Sequence, residues 1–209
     1  MHASTRPPAP THFDTAARDW DQRPMSQQMA AIAPRLLAAV PLAATDHVLD
    51  FGAGTGLLAA QIAPLVAQVT ALDTSAAMLQ VLTEKGHANI TALQGDIFAL
   101  PPGTLAPQDA IVSAMALHHV ADTAALLRAF AALLRPGGRV ALVDLYAEDG
   151  SFHGDNAAKG VHHLGFAPAA LQALAEQAGL CDVALTEILQ VQQRNGRHYP
   201  LFLMTGRKP

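Results

Sequence analysis

One cysteine, Cys181, is all the thiol chemistry in this 209-residue chain, so no intrachain disulfide can form. That usage fits a reducing compartment, and the cytoplasm is the expected location. Polar residues or prolines interrupt every apolar run before it reaches bilayer-crossing length, and the mean hydropathy of +0.22 owes most of its excess to alanine. No membrane span is expected. Charged residues make up only 14% of the chain, the net charge is −4 and no basic tract occurs, which disfavours nucleic acid as a partner. His-x-x-x-His and Cys-x-x-Cys spacings are also missing, and no metal site is expected. Met1 to His12 is rich in Pro, Ala and Thr and has no apolar core of signal-peptide length. Residues 1–25 read as a flexible tail.

Against these absences stands Val48-Leu49-Asp50-Phe51-Gly52-Ala53-Gly54-Thr55-Gly56-Leu57-Leu58-Ala59, an apolar strand running into alternating glycines and then a helical pattern. Glycine tolerates positive φ and lets another molecule lie against the backbone, as a tight strand-to-helix turn beside a nucleoside requires. A dinucleotide fingerprint would read Gly-x-Gly-x-x-Gly, but Leu57 stands where its last glycine belongs. A nicotinamide dehydrogenase is thereby the weaker reading. Val69-Thr70-Ala71-Leu72-Asp73 forms a second strand ending in an acid at the separation expected of a ribose-hydroxyl acceptor.

Asp50-x-Gly52-x-Gly54-x-Gly56 followed by Asp73 resembles the class I S-adenosylmethionine-dependent methyltransferases. Gly95-Asp96-Ile97 after the apolar run Ile90 to Leu93 resembles the family's third strand and adenine-side acid. Asp109 to Ser113 with Ala116-Leu117-His118-His119 resembles its fourth strand and the segment that follows. Leu133-Leu134-Arg135-Pro136-Gly137-Gly138-Arg139-Val140 resembles the turn into the fifth. The resemblance spans about residues 45 to 207. It implies S-adenosylmethionine as cofactor and S-adenosylhomocysteine as product. By the same resemblance Asp50, Gly52, Ala53 and Gly54 line the methionine part, Asp73 and Thr74 the ribose, and Met78 the adenine face. Asp96 and Ile97 meet the adenine edge, and Ala114 and Met115 border the sulfonium. The bland reading of Met78 is a core residue, and of Asp96 a loop-stabilising acid.

The pattern along the chain predicts an α/β fold, a Rossmann-like three-layer sandwich. Ser26 to Val40 carries apolar residues at helical spacing with Pro34 as a kink or restart, giving a cap helix within 26–44. Gly56 to Leu65 reads as a helix. Ser75 and Asp122 are expected N-caps, and Pro168 is expected in the first turn of a last helix ending before Gly179. Strands alternating with helices imply a parallel sheet. Val183 to Gln192 and Tyr199 to Thr205 flank Asn195-Gly196, a hairpin signal that adds an antiparallel strand. An antiparallel strand on a parallel sheet resembles the seven-stranded methyltransferase sheet, which implies a mostly parallel seven-stranded sheet with an antiparallel C-terminal hairpin strand, in a single domain over 26–209 with its core over 45–209.

The candidate catalytic residues are His118, His119, His162 and His163, with His153 in the same lid or wall segment, 146–166. A neutral imidazole has a pKa suited to taking a proton from an alcohol, phenol or amine as it is methylated. The bland alternative is a ring that packs or hydrogen-bonds across a loop. A metal reading draws on these histidines with Asp144 and Asp155, but adjacent side chains in an extended segment diverge, which argues against it. The expected acceptor is a small molecule. Protein or RNA methylation, and cofactor binding without catalysis, are the alternatives. No aromatic cage, acidic cluster or Cys site identifies the acceptor, and no pattern speaks to oligomeric state.

Overall fold

The computed structural model describes residues 11–209. Residues 1–10, the first part of the expected tail, lie outside the described residues. The sheet has seven strands, β1 (His47–Phe51), β2 (Gln68–Asp73), β3 (Ile90–Gln94), β4 (Gln108–Ala114), β5 (Leu134–Leu145), β6 (Cys181–Gln192) and β7 (His198–Arg207). Their order is β3-β2-β1-β4-β5-β7-β6. β1 to β5 pair in parallel, while β7 runs antiparallel to both β5 and β6. The expected architecture is therefore present. The hairpin turns at Gly196, whose φ of +78° suits the glycine, and Gln193 donates to the Arg197 carbonyl across it.

β1 and β4 are apolar on both faces because helices cover both sides, as parallel sheets require. Val48 packs with α3 (Ile32–Ala39) and α4 (Ala59–Ile62), through Leu36 and Ile62. Leu49, one residue on, points to the opposite layer, where it joins Leu127 and Phe130 of α6 (Thr123–Leu133) and Leu171 of α7 (Pro168–Gln177). α5 (Ala76–Glu84) buries Leu79 and Leu82 against Ala71 of β2. Its cap is as expected, the Ser75 side chain accepting from the Met78 amide at 3.2 Å, and the Asp122 carboxylate caps α6 at the Ala125 amide at 2.7 Å. Pro168 opens α7 in its first turn. Among the described residues no helix is long and apolar enough to cross a membrane.

Several local expectations are corrected. Residues 12–22, assigned to the tail, are structured: α1 (His12–Ala16) carries a Thr11/Asp14 capping box, a short turn of 3-10 helix spans Ala17–Gln22, and Ala16 and Ala17 are buried. The break expected at Pro34 falls instead at Ala30 and Ala31, between α2 (Pro24–Met29) and α3, with Pro34 inside the first turn of α3, where a missing N–H is tolerated. α4 begins at Ala59 rather than Gly56, because Gly56 has φ +81° and cannot continue a right-handed helix. The alternation lapses between β3 and β4, which are joined by turns without a helix. β5 starts at Leu134, six residues before the expected Val140, since Leu134 pairs with Gln108 ahead of a register shift.

Candidate active site

The strand order reverses between the parallel neighbours β1 and β4, and the crevice beyond their carboxyl ends is where open α/β sheets bind ligands. The amides of Gly52 and Ala53 both donate to the Leu72 carbonyl, at 2.9 and 3.1 Å, folding the glycine loop back onto the end of β2. Gly52 has φ +69°, and a Cβ there would collide with the Cβ of Ala116. Gly54 is different. Its φ is +55°, and the nearest atom to an added Cβ is the Met78 sulfur at 4.0 Å, so this turn borders open space.

Two acids address that space. Asp73 accepts from the Gly54 amide through Oδ2 and from the Ser75 amide through Oδ1, both at 2.8 Å. Burial raises its pKa, and the Ser75, Gly54 and Thr74 amides oppose that rise. Asp50 is 1% exposed, and its Oδ2 has no hydrogen-bond partner among the described residues. Burial, with the Asp73 charge nearby and only the Ala59 amide opposing, pushes its pKa up to about 8.

These acids open on a cavity of about 920 Å³. It is lined by every residue that the sequence assigns to a cofactor, from Asp50 and Ala53 through Thr74, Met78, Asp96 and Ile97 to Ala114 and Met115. Met78 is 1% exposed in the core, as its bland reading expects, and it also lines the cavity. The Asp96 carboxylate accepts from the Phe98 amide at 3.0 Å, the loop-stabilising contact foreseen for it, while still facing the cavity. Met115 has φ 60°, a left-handed conformation that costs a residue with a Cβ on the order of 1–2 kcal/mol. Its amide donates to the Val143 carbonyl at 2.8 Å and holds the chain in that turn.

The histidines separate into two groups. His118 Nδ1 meets Asp144 Oδ1 at 2.7 Å, and the two side chains are 1% and 0% exposed. The His118 and Leu145 amides also donate to this carboxylate, at 3.2 and 2.7 Å. Burial works to raise the Asp144 pKa, but the His118 ring and these amides hold it below the usual carboxylate value. His118 Nε2 lies 2.9 Å from His153 Nε2, and the His118 and His119 ring centroids are 4.1 Å apart. Burial first, then the His118 charge, lowers His119 to about 4 and His153 to about 3. The argument that adjacent rings diverge fails here, because Leu117–His119 is a turn of 3-10 helix and not an extended segment.

His162 lines the cavity. His163 does not. Its Nε2 lies 3.0 Å from the Val120 carbonyl and 3.2 Å from Thr123 Oγ1, and the ring stacks near Phe166, so it fastens the 146–166 segment to the start of α6. The amides of His162 and His163 both donate to the His118 carbonyl, joining this wall to the 3-10 turn.

The segment once read as tail roofs the cavity. Asp14 Oδ1 accepts from Ser75 Oγ at 2.6 Å, next to Asp73. Thr55 Oγ1 donates to Asp21 at 2.5 Å, and Lys85 Nζ bridges Asp21 and the Thr55 carbonyl at 2.7 Å each. Phe13 packs edge-on against His119 at 5.1 Å and against Trp20 at 5.8 Å. Nothing in residues 11–23 is periodic enough to reveal this from sequence, although Thr11-x-x-Asp14 carries a weak capping signal. Asp144 as a partner for His118 was equally hidden, its only signal being an acid in the apolar run Val140 to Leu145.

The family model described as "Methyltransferase domain" matches residues 48–138, from the start of β1 through the turn inside β5. Residues 48–138 of the chain thus match a methyltransferase family. An uncharacterized methyltransferase of Schizosaccharomyces pombe is 32% identical over 71% of the chain and 57% of that relative. The chain thus spans less than two thirds of that curated relative's length. A chain in the solved complex of the Haloferax volcanii Trm112 methyltransferase activator superposes with a TM-score of 0.79 at 22% identity, covering 97% of this chain and all of that one. The DhpI structure, solved with S-adenosylhomocysteine, gives a TM-score of 0.73 at 24% identity over 94% of this chain and 93% of its own. At these identities the likeness to solved structures is one of fold. The antiparallel β7, which an ordinary dinucleotide-binding domain lacks, lies beyond the residues matched by the family model.

Proposed function

We propose that this protein is a cytoplasmic S-adenosylmethionine-dependent methyltransferase that methylates an oxygen or nitrogen of a small molecule by in-line displacement. The observation that carries the reading is the unpartnered Asp50 Oδ2 buried at the glycine loop. Ionised, a carboxylate there would repel a pyrophosphate, whereas a cationic amino group of an amino-acid moiety favours that ionised form and pairs with it. The cofactor supplies, when bound, an electrophilic methyl on a sulfonium.

The residues fit that cofactor. Asp50, Gly52, Ala53 and Gly54 hold the methionine part against the open turn. Asp73 retains lone pairs for the ribose hydroxyls beside Thr74, its existing hydrogen bonds to Gly54 and Ser75 fixing its orientation. Met78 lies along the adenine face, and Asp96 and Ile97 meet its edge. Ala114 and Met115 border the sulfonium side. His118, oriented by Asp144, and His119 wall the acceptor space and receive the proton that the nucleophile loses, with His162 at the same wall. His163 is assigned a structural role.

The acceptor is a small molecule because α1, α2 and the 146–166 wall enclose the cavity, whose volume lies near the upper end of the roughly 300–1,000 Å³ of small-ligand sites. Residues 26–209, with 26–44 as cap and 146–166 as wall, form one catalytic domain together with the roof supplied by residues 11–25. Orientation and exclusion of water supply most of the acceleration in such a transfer. Radiolabelled methyl from S-adenosylmethionine should pass into the small-molecule fraction of a lysate. Transfer confined to protein or RNA would sink the acceptor assignment, and no transfer despite tight cofactor binding would favour a non-catalytic role.

A further inference from the structure

The acceptor side of the cavity gathers His118, His119 and His153, three residues that offer ring nitrogens all within 4.8 Å of one another. We propose that these three histidines bind a divalent first-row transition metal of the zinc class, with its remaining coordination position facing the acceptor space. This goes beyond the methyltransferase reading, which needs no metal; it rests on that reading for what the fourth position receives, and with the metal bound the Nε2 lone pairs are its ligands, so water replaces these rings as the proton acceptor.

Four features of the geometry support the site. A tetrahedral zinc with Zn–N of about 2.0–2.1 Å holds its ligand nitrogens about 3.3–3.4 Å apart. The His118 and His153 Nε2 atoms, at 2.9 Å, need only small ring rotations to reach that separation. The tautomers are also set by the surroundings. His118 commits Nδ1 to Asp144 at 2.7 Å, and His119 commits Nδ1 to the Gly160 carbonyl at 3.0 Å. With both protons held on Nδ1, both Nε2 atoms present lone pairs, which is how metal-bound histidines are oriented by a carboxylate or carbonyl.

Charge and access agree. The Asp144 carboxylate, 0% exposed, lies directly behind His118 and offsets part of the charge of a dication. The Lys159 ammonium, which donates to the His153 carbonyl at 2.5 Å, opposes it. All three rings line the cavity, so the fourth position opens toward the methyl-transfer site and not into the core. Neutral imidazoles without a thiolate select zinc, cobalt or nickel over calcium or magnesium. An acceptor hydroxyl entering the open position would have its pKa lowered and release its proton to water. Its oxygen then forms the new C–O bond as the sulfur–methyl bond breaks, the electron pair of that bond passing to sulfur.

The test uses full-length protein without a polyhistidine tag, stripped with EDTA and titrated with Zn²⁺ in competition with a chromophoric chelator. One equivalent should bind. His119→Ala and His153→Ala should each weaken binding by at least the ~10–100-fold typical of losing even an outer-shell partner, and Asp144→Asn by an amount in that range. His87→Ala, at an exposed position away from the cavity, should leave it unchanged. Cobalt(II) loaded into His153→Cys should show a thiolate charge-transfer band absent from the wild type, which guards against a variant that has merely unfolded. Binding that is substoichiometric, or indifferent to His153→Ala, overturns the proposal. S-adenosylhomocysteine titration of the same samples reads the cofactor site separately: its failure in the wild type would remove the methyltransferase reading while leaving the metal result intact.

Discussion

The Asp144 carboxylate at the end of β5 receives the His118 ring at 2.7 Å, with both groups withdrawn from solvent. The pair ties the 3-10 turn after β4 to the neighbouring strand and fixes the ring that leads the acceptor-side histidines. Removing one member of a buried pair leaves the other uncompensated, which costs about 3–5 kcal/mol. Asp144→Ala should therefore lose about 3 kcal/mol or more of stability in urea denaturation. A loss within about 0.5 kcal/mol, the usual range of a surface change, would mean that the pair holds nothing in place.

Gly52 owes its identity to a positive φ and to the neighbouring Ala116. Gly52→Ala should abolish S-adenosylhomocysteine binding and lower the melting temperature. Adding Ala116→Gly removes the collision but not the left-handed strain, so thermal melts of the double variant should show a partial recovery. No recovery would place the constraint elsewhere.

The glycine loop, the acid after β2 and the C-terminal hairpin were legible because each is a local pattern: alternating glycines, a strand ending in Asp73, and Asn195-Gly196 between two apolar runs. The caps at Ser75 and Asp122 are legible for the same reason, since a cap is satisfied within its own first turn. What was hidden depends on long-range contacts. The roof over the cavity is held by Asp14 on Ser75 and Asp21 on Thr55 and Lys85, pairs that no spacing rule connects. His153 reaches His118 from an irregular segment, and His163 turns away to Thr123, so adjacency in sequence misled about both histidine pairs.

Asp50 has an ionisation consequence. Its pKa is raised to about 8, so below that pH the free protein holds it protonated, whereas pairing with a cationic amino group requires the carboxylate. Cofactor binding then releases a proton, and affinity should climb between pH 6 and pH 8 by at most about tenfold per pH unit. Isothermal titration of S-adenosylhomocysteine in buffers of different ionisation enthalpy measures that proton. Asp50→Asn should bind more weakly and without this dependence. An affinity that falls as the pH rises through this range would contradict the assignment.

Trp20 is the chain's one tryptophan, and it lines the cavity with Phe13 against it and the Arg23 guanidinium 5.2 Å from its ring centre. Its emission should shift when the cavity fills. Asp21→Ala cuts the link from the roof to Thr55 and Lys85, and should reduce that shift and weaken cofactor affinity, while stability falls by about 1–3 kcal/mol, chiefly because the buried Thr55 hydroxyl loses its acceptor. Fluorescence titration checks both, and an unchanged emission on saturation would show that the roof does not sense the ligand.

Asp73 offers the most direct test of the central claim that this cavity is a nucleoside cofactor site built for S-adenosylmethionine. Calorimetric titration of the purified chain with S-adenosylhomocysteine should give one site per protomer. Asp73→Ala should weaken it by roughly 10–100-fold, the loss expected when a charged hydrogen-bond acceptor worth about 1.5–3 kcal/mol is removed. A wild-type chain that binds no S-adenosylhomocysteine, or an Asp73→Ala variant that binds it equally well, would contradict the account.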